Sequence, residues 1–285
     1  MKHLLSAAAL VALAGLPAAA QDLSGKLAEI AEDGEIVIGH RESSVPFSYL
    51  DENQQPIGYT IDLCMKVVEA ISEKIGQEVE VRYVPVNPKT RIALLANGTI
   101  DMECGSTTNN LTRQEQVEYL PTTFITGTKI LTRADSGIES VDDLEGKVIA
   151  LAQGTTNERA IKAAVEERGL NVEILPVRDH AEGMLALETD RVDAYSTDHI
   201  LLHGLIDKSR APEDFAVVGD FLSFDPYAIM VPRNDSAFEL VGKAALAEVF
   251  RSGEIDEIYS KWFDDMGVEK TDLLDAAFRI NALPE

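Results

Sequence analysis

The chain has 285 residues, of which 45% are hydrophobic and 26% charged, with 19 glycines and 11 prolines. These fractions are typical of a folded globular protein and exclude a collagen-like, coiled-coil or disordered chain. Lys and Arg number 25 against 49 Asp and Glu, which gives a formal net charge of −24. Because such an acidic surface repels phosphate backbones and anionic lipid, we expect neither a nucleic-acid partner nor binding to a membrane surface. A small anionic ligand is still compatible with this charge, since a pocket can be cationic on an acidic body.

The start of the chain predicts a secretory signal peptide. Residues 1–3 are a short basic start, residues 4–16 are largely apolar, and three alanines at 18–20 precede Gln21. This is the order of regions in a cleavable export signal. A membrane anchor would need about 18 or more apolar residues, and no cysteine lies near the cut for lipid attachment. We expect residues 1–20 to be removed, leaving a soluble protein in the periplasm.

Cys64 and Cys104 are the two cysteines of the sequence. In an oxidising compartment an even pair is a disulfide candidate. Closing a loop of about 40 residues would stabilise the fold by roughly 3–4 kcal/mol in the chain-entropy model. Two buried free thiols are the alternative, and the spacing fits neither a CxxC redox motif nor a zinc site.

Strand and helix patterns alternate along the first part of the mature chain. Runs of β-branched and apolar residues predict strands, and apolar residues three or four apart predict helices. The prediction, in chain order, is a strand at 35–39, a helix at 61–75, a strand at 79–83, a helix capped by Asn87 with Pro88 as its first residue, and a strand at 100–104.

The same order recurs downstream. The predicted elements are a strand at 147–151, a helix at 158–168, a strand at 172–177, a helix at 181–187 and a strand at 194–195. Residues 95–101 and 187–193 have similar sequences and lie at the same point of the two β-α-β-α-β series. Alternating strands and helices form mainly parallel sheets with helices on both faces. The sequence therefore predicts two similar α/β lobes.

The elements after residue 225 are too few for a third domain. They are a strand at 228–231, a helix at 237–250 and a second amphipathic segment, which we expect to return to the first lobe. Lobe 1 would then comprise residues 21–126 and 226–285, and lobe 2 residues 127–225. Two segments that cross between the lobes would form a hinge and leave a cleft.

Polar loops follow several predicted strands. In parallel α/β sheets, ligands bind beyond the carboxyl ends of the strands, where loops lead into helix N-termini. Capping-box sequences at 112–115 and 155–158 mark two helix starts, whose free N–H groups and dipole favour a carboxylate. The loops lie at 40–44, 105–110, 153–157 and 179–182, and Asp198 follows the strand at 194–195.

Three arginines, Arg41, Arg91 and Arg113, lie at or near the loops of the first lobe, and His180 lies in the second. The planar guanidinium of arginine bonds both oxygens of a carboxylate at once. Asp198 is an acid that can bind an ammonium group. This set favours a dicarboxylic amino acid over a sugar, which would need neutral amides and aromatic platforms.

Each of these residues also has an interpretation that requires no ligand. Arg41 could lie in a solvated loop, Arg91 on the polar face of a helix, and His180 on the surface. Asp198 could be a turn or N-cap residue. Helix capping alone would explain the three threonines Thr108, Thr155 and Thr156.

The same loops also carry a family pattern. The chain resembles the periplasmic solute-binding proteins of polar amino-acid ABC transporters, in particular the glutamate/aspartate-binding group. The resemblance covers nearly all of the mature chain. Its segments are Gly39 to Tyr49 (GHRESSVPFSY), Glu103 to Asn110 (ECGSTTNN), Gly154-Thr155-Thr156, Asp179-His180 and the Y-x-KWF run at 259–263.

The resemblance implies a type II-like periplasmic binding protein fold with two lobes that close at a hinge. It implies capture of L-glutamate or L-aspartate without chemistry, so we expect no enzyme activity and no cofactor. The expected partners are an ABC permease and its ATPase, which the closed protein would dock on as a monomer.

By the same resemblance, Arg113 and Thr108 would hold the ligand α-carboxylate. Backbone N–H groups near Thr155 and Thr156 would complete this clamp.

The other ligand groups would be bound by five further residues. Asp198 and the Ser106 region would hold the α-ammonium. Arg41, Arg91 and His180 would surround the side-chain carboxylate. Position 88 departs from the pattern, since it is Pro where relatives tend to carry serine. The preference among glutamate, aspartate and their amides is therefore open at this point.

Two other classes of function need to be weighed. The two-lobed fold is shared by periplasmic dehydratases acting on prephenate-like acids, and Ser106, His180 and Asp198 could form a nucleophilic triad. No G-x-S-x-G motif is present, however. A sensor that reports to a chemoreceptor is a third class.

A metal site was also considered. His199 and His203 lie four apart on a predicted helix next to Asp198, a spacing that can bind zinc. The sequence offers no convincing third ligand, so we expect no metal.

Overall fold

The computed structural model describes residues 23–284, so the predicted signal peptide lies outside the described residues. The helices are α1 Lys26–Asp33, α2 Tyr59–Ile75, α3 Arg91–Ala96, α4 Leu111–Gln114, α5 Thr156–Arg168, α6 His180–Glu188, α7 His199–Lys208, α8 Ser236–Ser252, α9 Glu254–Phe263 and α10 Asp272–Asn281. Short 3₁₀ turns lie at Val141–Leu144 and Pro212–Asp214.

The strands are short and run through the whole of the described chain. They are β1 Glu35–His40, β2 Ser43–Ser44, β3 Ser48–Leu50, β4 Pro56–Ile57, β5 Glu80–Pro85, β6 Met102–Cys104, β7 Glu118–Tyr119, β8 Phe124–Thr126, β9 Thr128–Arg133, β10 Val148–Ala152, β11 Glu173–Val177, β12 Ala194–Asp198, β13 Phe215–Val218, β14 Asp225–Tyr227 and β15 Met230–Val231.

Two five-stranded sheets form the centres of two lobes. Their strand orders are β5-β1-β6-β15-β7 and β11-β10-β12-β9-β13. In the first sheet β15 is antiparallel to both of its neighbours. In the second sheet β9 is likewise antiparallel to both of its neighbours. These two strands follow the segments that cross between the lobes, and the remaining strands of each sheet run in one direction. The predicted two-lobed α/β fold with mainly parallel sheets is confirmed.

The central strands bury both faces, as strands between two helical layers must. In β1, Ile36 and Ile38 belong to the large core formed with α2, α8 and α9, and Val37 packs on the opposite face. In β10, Ile149 and Ala150 likewise belong to different clusters. The C-terminal helices α8, α9 and α10 thus complete the core of the first lobe.

The hinge consists of β8 and β14, which pair antiparallel with Thr126 opposite Asp225. Gly127 follows β8 where the chain has no room for a side chain, since a Cβ there would lie 2.2 Å from the carbonyl oxygen of Ser223. This close approach keeps the two crossing segments together. The lobe bounds of 21–126 with 226–285, and 127–225, stay a prediction.

Two predicted helix starts can be compared with the structure. α3 is assigned from Arg91, but the predicted cap at Asn87 has the contacts of an N-cap, since its side chain accepts hydrogen bonds from the N–H groups of Lys89 and Thr90 and its carbonyl oxygen accepts from the N–H of Arg91, the first residue of α3. The capping box at 112–115 is wrong, since Asn110 caps α4 by accepting a hydrogen bond from the N–H of Arg113. Asn110, two residues before Thr112, thus caps this helix in place of Thr112.

A disulfide joins Cys64 of α2 to Cys104 of β6, 40 residues apart, and the predicted pairing is confirmed. Both residues are completely buried in the large core. The bond holds the end of β6, from which the polar loop at 105–110 begins, against α2, one of the two 17-residue helices of that lobe.

Replacing both cysteines by alanine should lower the free energy of unfolding by roughly 3–4 kcal/mol, because the unfolded chain regains the entropy of an open 40-residue loop. Urea unfolding of wild type and of the C64A/C104A variant measures the difference. Reduced wild type is the control, and it should unfold at a lower urea concentration than the oxidised protein. An unchanged midpoint in the double variant would contradict the expectation.

Candidate functional site

The polar loops of the two lobes enclose a small cavity. Eight of the nine predicted site residues line it, and the ninth, Arg113, lies at its edge. The two remaining lining residues, Asn157 and Leu201, were not predicted as site residues. The lining residues are Arg41, Arg91, Ser106, Thr108, Thr155, Thr156, Asn157, His180, Asp198 and Leu201.

Arg91 is held on one side of the cavity by a buried network. Its Nη1 donates to the carbonyl oxygen of Ser106 at 3.2 Å and to the hydroxyl of Thr107. Thr107 donates in turn to Oε2 of Glu103 at 2.8 Å, and Oε1 of Glu103 lies 3.8 Å from Arg91 Nη1. Glu103 is fully buried. It is therefore the counter-ion of the arginines. The sequence analysis did not predict this role, although a carboxylate within an apolar strand is a signal of a functional acid.

Arg41 follows β1 directly and is only 1% exposed, so it is not a solvated loop residue. Its backbone N–H donates to Ser48 Oγ at 2.9 Å, which fixes the start of the loop. Its Nη2 has no hydrogen-bond partner among residues 23–284, and the same holds for Nε of Arg91 and Oγ of Ser106. The pKa of Arg41 is lowered to about 10, mainly by burial and secondly by the neighbouring charge of Arg91. The cavity therefore contains positive charge that the protein itself compensates only in part.

Arg113 spans the edge of the cavity. Its Nη1 donates to the carbonyl oxygen of Thr108 at 2.7 Å, and its Nη2 donates to the carbonyl oxygen of Gly154 in the other lobe at 3.2 Å. Burial lowers the pKa of Arg113 to about 10, with the charge of Arg91 as the second cause. Three guanidinium groups thus influence one another within a small buried volume.

The loop that carries Thr155 and Thr156 begins α5. Thr155 is the N-cap and accepts a hydrogen bond from the N–H of Glu158 at 3.0 Å, while Glu158 accepts from the N–H of Gly154 at 2.8 Å. Gly154 has φ +82° and lies against Pro88 and Lys89 of the first lobe, within 3.3 Å of where its Cβ would be. Only glycine combines this φ with so close an approach.

Asp198 ends β12 and occupies the N-cap position of α7, yet its side chain makes no capping hydrogen bond. Instead Oδ1 accepts from Asn157 Nδ2 at 2.9 Å, and Oδ2 accepts from the hydroxyl of Tyr227. Burial raises the pKa of Asp198 to about 7, and the nearby carboxylate of Asp225 is the second cause. The carboxylate is thus buried in the cavity and is not a simple cap.

His180 begins α6, where Asp179 caps the helix by accepting from the N–H of Glu182 at 3.1 Å. The imidazole is buried, so the surface interpretation is wrong, and its Nδ1 lies 2.7 Å from the hydroxyl oxygen of Tyr195. Burial lowers the pKa of His180 well below its usual value, and the charges of Arg41 and Arg91 add to this shift. His180 is therefore neutral at pH 7 in this form.

The two lobes are closed on each other around the cavity. The hydroxyl oxygens of Thr108 and Thr156 lie 3.2 Å apart across the cleft, and the N–H of Ala181 donates to Ser43 Oγ at 3.3 Å. On the helix face of α7, a Cβ on Gly204 would lie 2.4 Å from the carbonyl oxygen of Val45. The closed form thus depends on close backbone contact between the lobes.

His199 and His203 lie apart from the cavity lining, with their Nε2 atoms 3.1 Å apart on α7. Within residues 23–284 no group of three or more His, Cys, Asp or Glu side chains is arranged to hold a metal ion. In the same part of the chain, no helix has the length and apolar character needed to cross a membrane.

The chain was compared with known proteins. Residues 36–265 match the family described as bacterial extracellular solute-binding proteins, family 3. The chain is 43% identical over 262 residues to the L-glutamate/L-aspartate-binding protein of Pseudomonas aeruginosa, covering 91% of this chain and 87% of that protein. It is 37% identical over 274 residues to the glutamate/aspartate import solute-binding protein of Salmonella typhimurium, covering 93% and 89%.

A solved structure of an ancestral amino acid-binding protein, described as a precursor of cyclohexadienyl dehydratase, is similar as well. Its TM-score is 0.72 at 26% identity, over 84% of this chain and all of that one. Since the family match covers most of the chain and two relatives exceed 30% identity, the chain belongs to the bacterial extracellular solute-binding proteins of family 3.

Proposed function

We propose that this protein captures L-glutamate or L-aspartate between its closing lobes and delivers it to an ABC permease powered by an ATPase, with no chemical step. The observation that carries the proposal is the charge of the cavity. Arg41, Arg91 and Arg113 are each at most 4% exposed, and Glu103 is the buried acid that lies against Arg91. One carboxylate beside three guanidinium groups of the first lobe leaves cationic groups for the two carboxylates of an acidic amino acid, while Asp198 across the cavity is left for its ammonium.

The α-carboxylate is assigned to Arg113 and Thr108 on one lobe and to the start of α5 on the other. The N-terminus of a helix of this length presents free N–H groups and a favourable dipole to an anion. Arg113 already spans both lobes at this point. The clamp therefore belongs to the closed form, in which both lobes contact the same ligand group.

The side-chain carboxylate is assigned to Arg41, Arg91 and His180. The buried donors Arg41 Nη2 and Arg91 Nε have no protein partner among the described residues, and a buried unpaired donor is costly. A neutral His180 would add a hydrogen bond rather than a charge. Asp198, on the opposite lobe, is assigned to the ligand α-ammonium together with the region of Ser106.

Selectivity follows from the charges that a wrong ligand leaves unpaired. A ligand without the second carboxylate would leave Arg41 and Arg91 facing each other in a closed, dry cleft. Leaving buried charges unpaired costs several kcal/mol, which corresponds to a preference of a few orders of magnitude. We therefore favour an acidic ligand over a broad binder that also accepts the amides. The names of the Pseudomonas and Salmonella relatives agree with this assignment.

Catalysis by a nucleophilic triad finds no support in the hydrogen bonds. Ser106 Oγ has no partner among the described residues, and the Nδ1 of His180 faces Tyr195. The carboxylate of Asp198 bonds Asn157 and Tyr227 rather than His180. A triad needs the nucleophile hydrogen-bonded to its base and the base to its carboxylate. Binding without reaction, as an exported monomer, is therefore the function that we propose, with residues 127–225 as the lobe that moves.

Replacing Arg113 by alanine should weaken the binding of L-glutamate and of L-aspartate alike by about 2–5 kcal/mol, because the α-carboxylate common to both loses a buried charged partner. Isothermal titration calorimetry measures the affinities. Arg82→Ala is the matched control, since Arg82 lies in the same lobe with an exposed side chain and pairs with Glu35. Near-native affinity of the Arg113→Ala protein would refute the assignment of the clamp.

Replacing Arg41 by methionine should reduce the preference for glutamate over glutamine. Glutamate loses a charge partner worth about 2–5 kcal/mol, whereas glutamine is relieved of two facing cations and loses little. The ratio of the dissociation constants of glutamine and glutamate, compared between wild type and variant, measures this preference, with Arg82→Met as the control. An equal loss for both ligands would show that Arg41 does not read the side-chain carboxylate.

Replacing Gly204 by alanine should weaken binding by about 1–3 kcal/mol, or 5- to 150-fold, because the added methyl meets the backbone at Val45 only when the lobes close. Alanine is the better helix former, so the melting temperature of the free protein should not fall. Gly169→Ala is a control for which we expect the opposite pattern of effects on stability and affinity. Gly169 has φ +65° with nothing within 4 Å, so the change should cost stability but not affinity. Unchanged glutamate affinity in the Gly204→Ala protein would mean that closure does not require this contact.

A further inference from the structure

Two buried carboxylates lie at the hinge end of the cavity. Asp198 ends β12, and Asp225 begins the crossing strand β14; they are 3% and 1% exposed. Within residues 23–284, neither forms an ion pair with a lysine, arginine or histidine. Their negative charges are therefore offset mainly by hydrogen bonds, with Arg113 as a more distant cation acting on Asp198, which is an unusual situation for two acids in one buried region.

A continuous chain of hydrogen bonds joins the two carboxylates. Asn157 Nδ2 donates to Asp198 Oδ1 at 2.9 Å and to Thr128 Oγ1 at 2.7 Å. Thr128 Oγ1 and Ser223 Oγ lie 2.7 Å apart, and Ser223 donates to Asp225 Oδ2. Since each hydroxyl has one proton, Thr128 donates to Ser223, and the donors run in one direction from Asn157 to Asp225.

The remaining oxygens of the pair also accept hydrogen bonds. Thr108, which lines the cavity, donates to Asp225 Oδ1 at 2.8 Å, and the Tyr227 hydroxyl donates to Asp198 Oδ2. Every oxygen of both acids thus has a neutral hydrogen-bonding partner, and when Asp198 is protonated its O–H donates to the Tyr227 hydroxyl oxygen instead of accepting from it. These donors fix the positions of the two acids but bring no positive charge.

The groups that face Asp198 have opposing effects. They are Asp225 and Tyr227 from β14, Tyr195 from its own strand, and Arg113 from the other lobe. Burial raises the pKa of Asp198 to about 7, and the charge of Asp225 adds to the rise. The hydrogen bonds from Tyr227 and Asn157 and the charge of Arg113 act in the other direction. Burial and the second carboxylate are thus the features that keep a proton on Asp198 near neutral pH.

We propose that Asp198 and Asp225 form a carboxylate pair that holds one proton and releases it when an amino acid is captured. The ligand ammonium replaces the proton: the O–H bond of protonated Asp198 breaks, its proton passes to solvent, and the resulting carboxylate pairs with the intact ammonium. This inference rests on the proposed function, because it requires a ligand ammonium at Asp198. It makes capture dependent on pH at the same site.

The sign of the pH dependence follows from the balance of protons. Below about pH 7 the ligand must displace a proton, so the apparent dissociation constant should rise about tenfold for each further unit of pH decrease. Above pH 7 Asp198 is already ionised, and the affinity should be nearly constant until the ligand ammonium itself loses a proton.

Calorimetry of L-glutamate binding in buffers with different enthalpies of ionisation counts the released protons directly. Between pH 5.5 and 8.5, wild type should release close to one proton at pH 6 and almost none at pH 8.5. In Asp225→Asn, which keeps the shape of the side chain, the pH of half-release should fall by about one unit, because the like charge is gone. Asp220→Asn is the matched control, since Asp220 is exposed on the loop before β14.

His180 faces the same cavity and can take up a proton when a carboxylate binds, but it is unchanged in all three proteins. The difference between wild type and Asp225→Asn therefore reports on the pair. If Asp225→Asn does not fold, Asp225→Ser makes the same comparison with wild type.

The outcomes separate this inference from the proposed function. Absence of any binding heat for glutamate and aspartate at every pH would refute both. The same proton-release profile in wild type and Asp225→Asn would overturn the carboxylate pair and leave the capture of an acidic amino acid intact.

Discussion

The placement of three buried guanidinium groups in one lobe, with Glu103 as their counter-ion there, is the constraint on which the rest of this protein depends. Arg41, Arg91 and Arg113 come from three different loops or helix starts, and Glu103 compensates only one of their charges. A folded chain tolerates such a cluster only when the surrounding structure fixes it firmly. The disulfide at Cys104, one residue after Glu103, helps to provide that rigidity.

The hinge connects this cluster to the opposite half of the cavity. The crossing strands β8 and β14 keep the two halves on separate lobes, so that the three arginines of one lobe and Asp198 of the other come together on closure. In the closed form, water is excluded and charge-assisted hydrogen bonds become stronger, while any unpaired charge becomes more costly. The same geometry therefore serves both tight binding and rejection of ligands with the wrong charge.

The hinge strands do more than connect the lobes. Asp225 and Tyr227 of β14 contribute to the hydrogen bonds around Thr108 of one lobe and Asp198 of the other. A crossing segment that touches ligand-binding groups on both sides couples their positions to the hinge angle. This coupling explains why a residue outside the cavity lining influences the acid that we assign to the ligand ammonium.

Most of the architecture was accessible from local patterns. Strand and helix periodicity predicted the repeated α/β order, and the capping residue Thr155 was found because a helix start uses short-range hydrogen bonds. The helix start at Thr112 was wrong because Asn110, two residues earlier, caps the helix by accepting a hydrogen bond from the N–H of Arg113. Which of two nearby polar residues becomes the cap depends on the backbone geometry of the loop.

The sequence by itself determined the two-lobed fold, the pairing of the cysteines as a candidate and the residue types that surround the cavity, because periodicity, cysteine count and loop composition are local properties. Only the tertiary structure decided that Glu103 is the counter-ion of Arg91 and that Asn157, Thr128 and Ser223 link Asp198 to Asp225. These partners lie on separate elements, many residues apart, and the burial that raises the pKa of Asp198 exists only once the lobes have folded and closed.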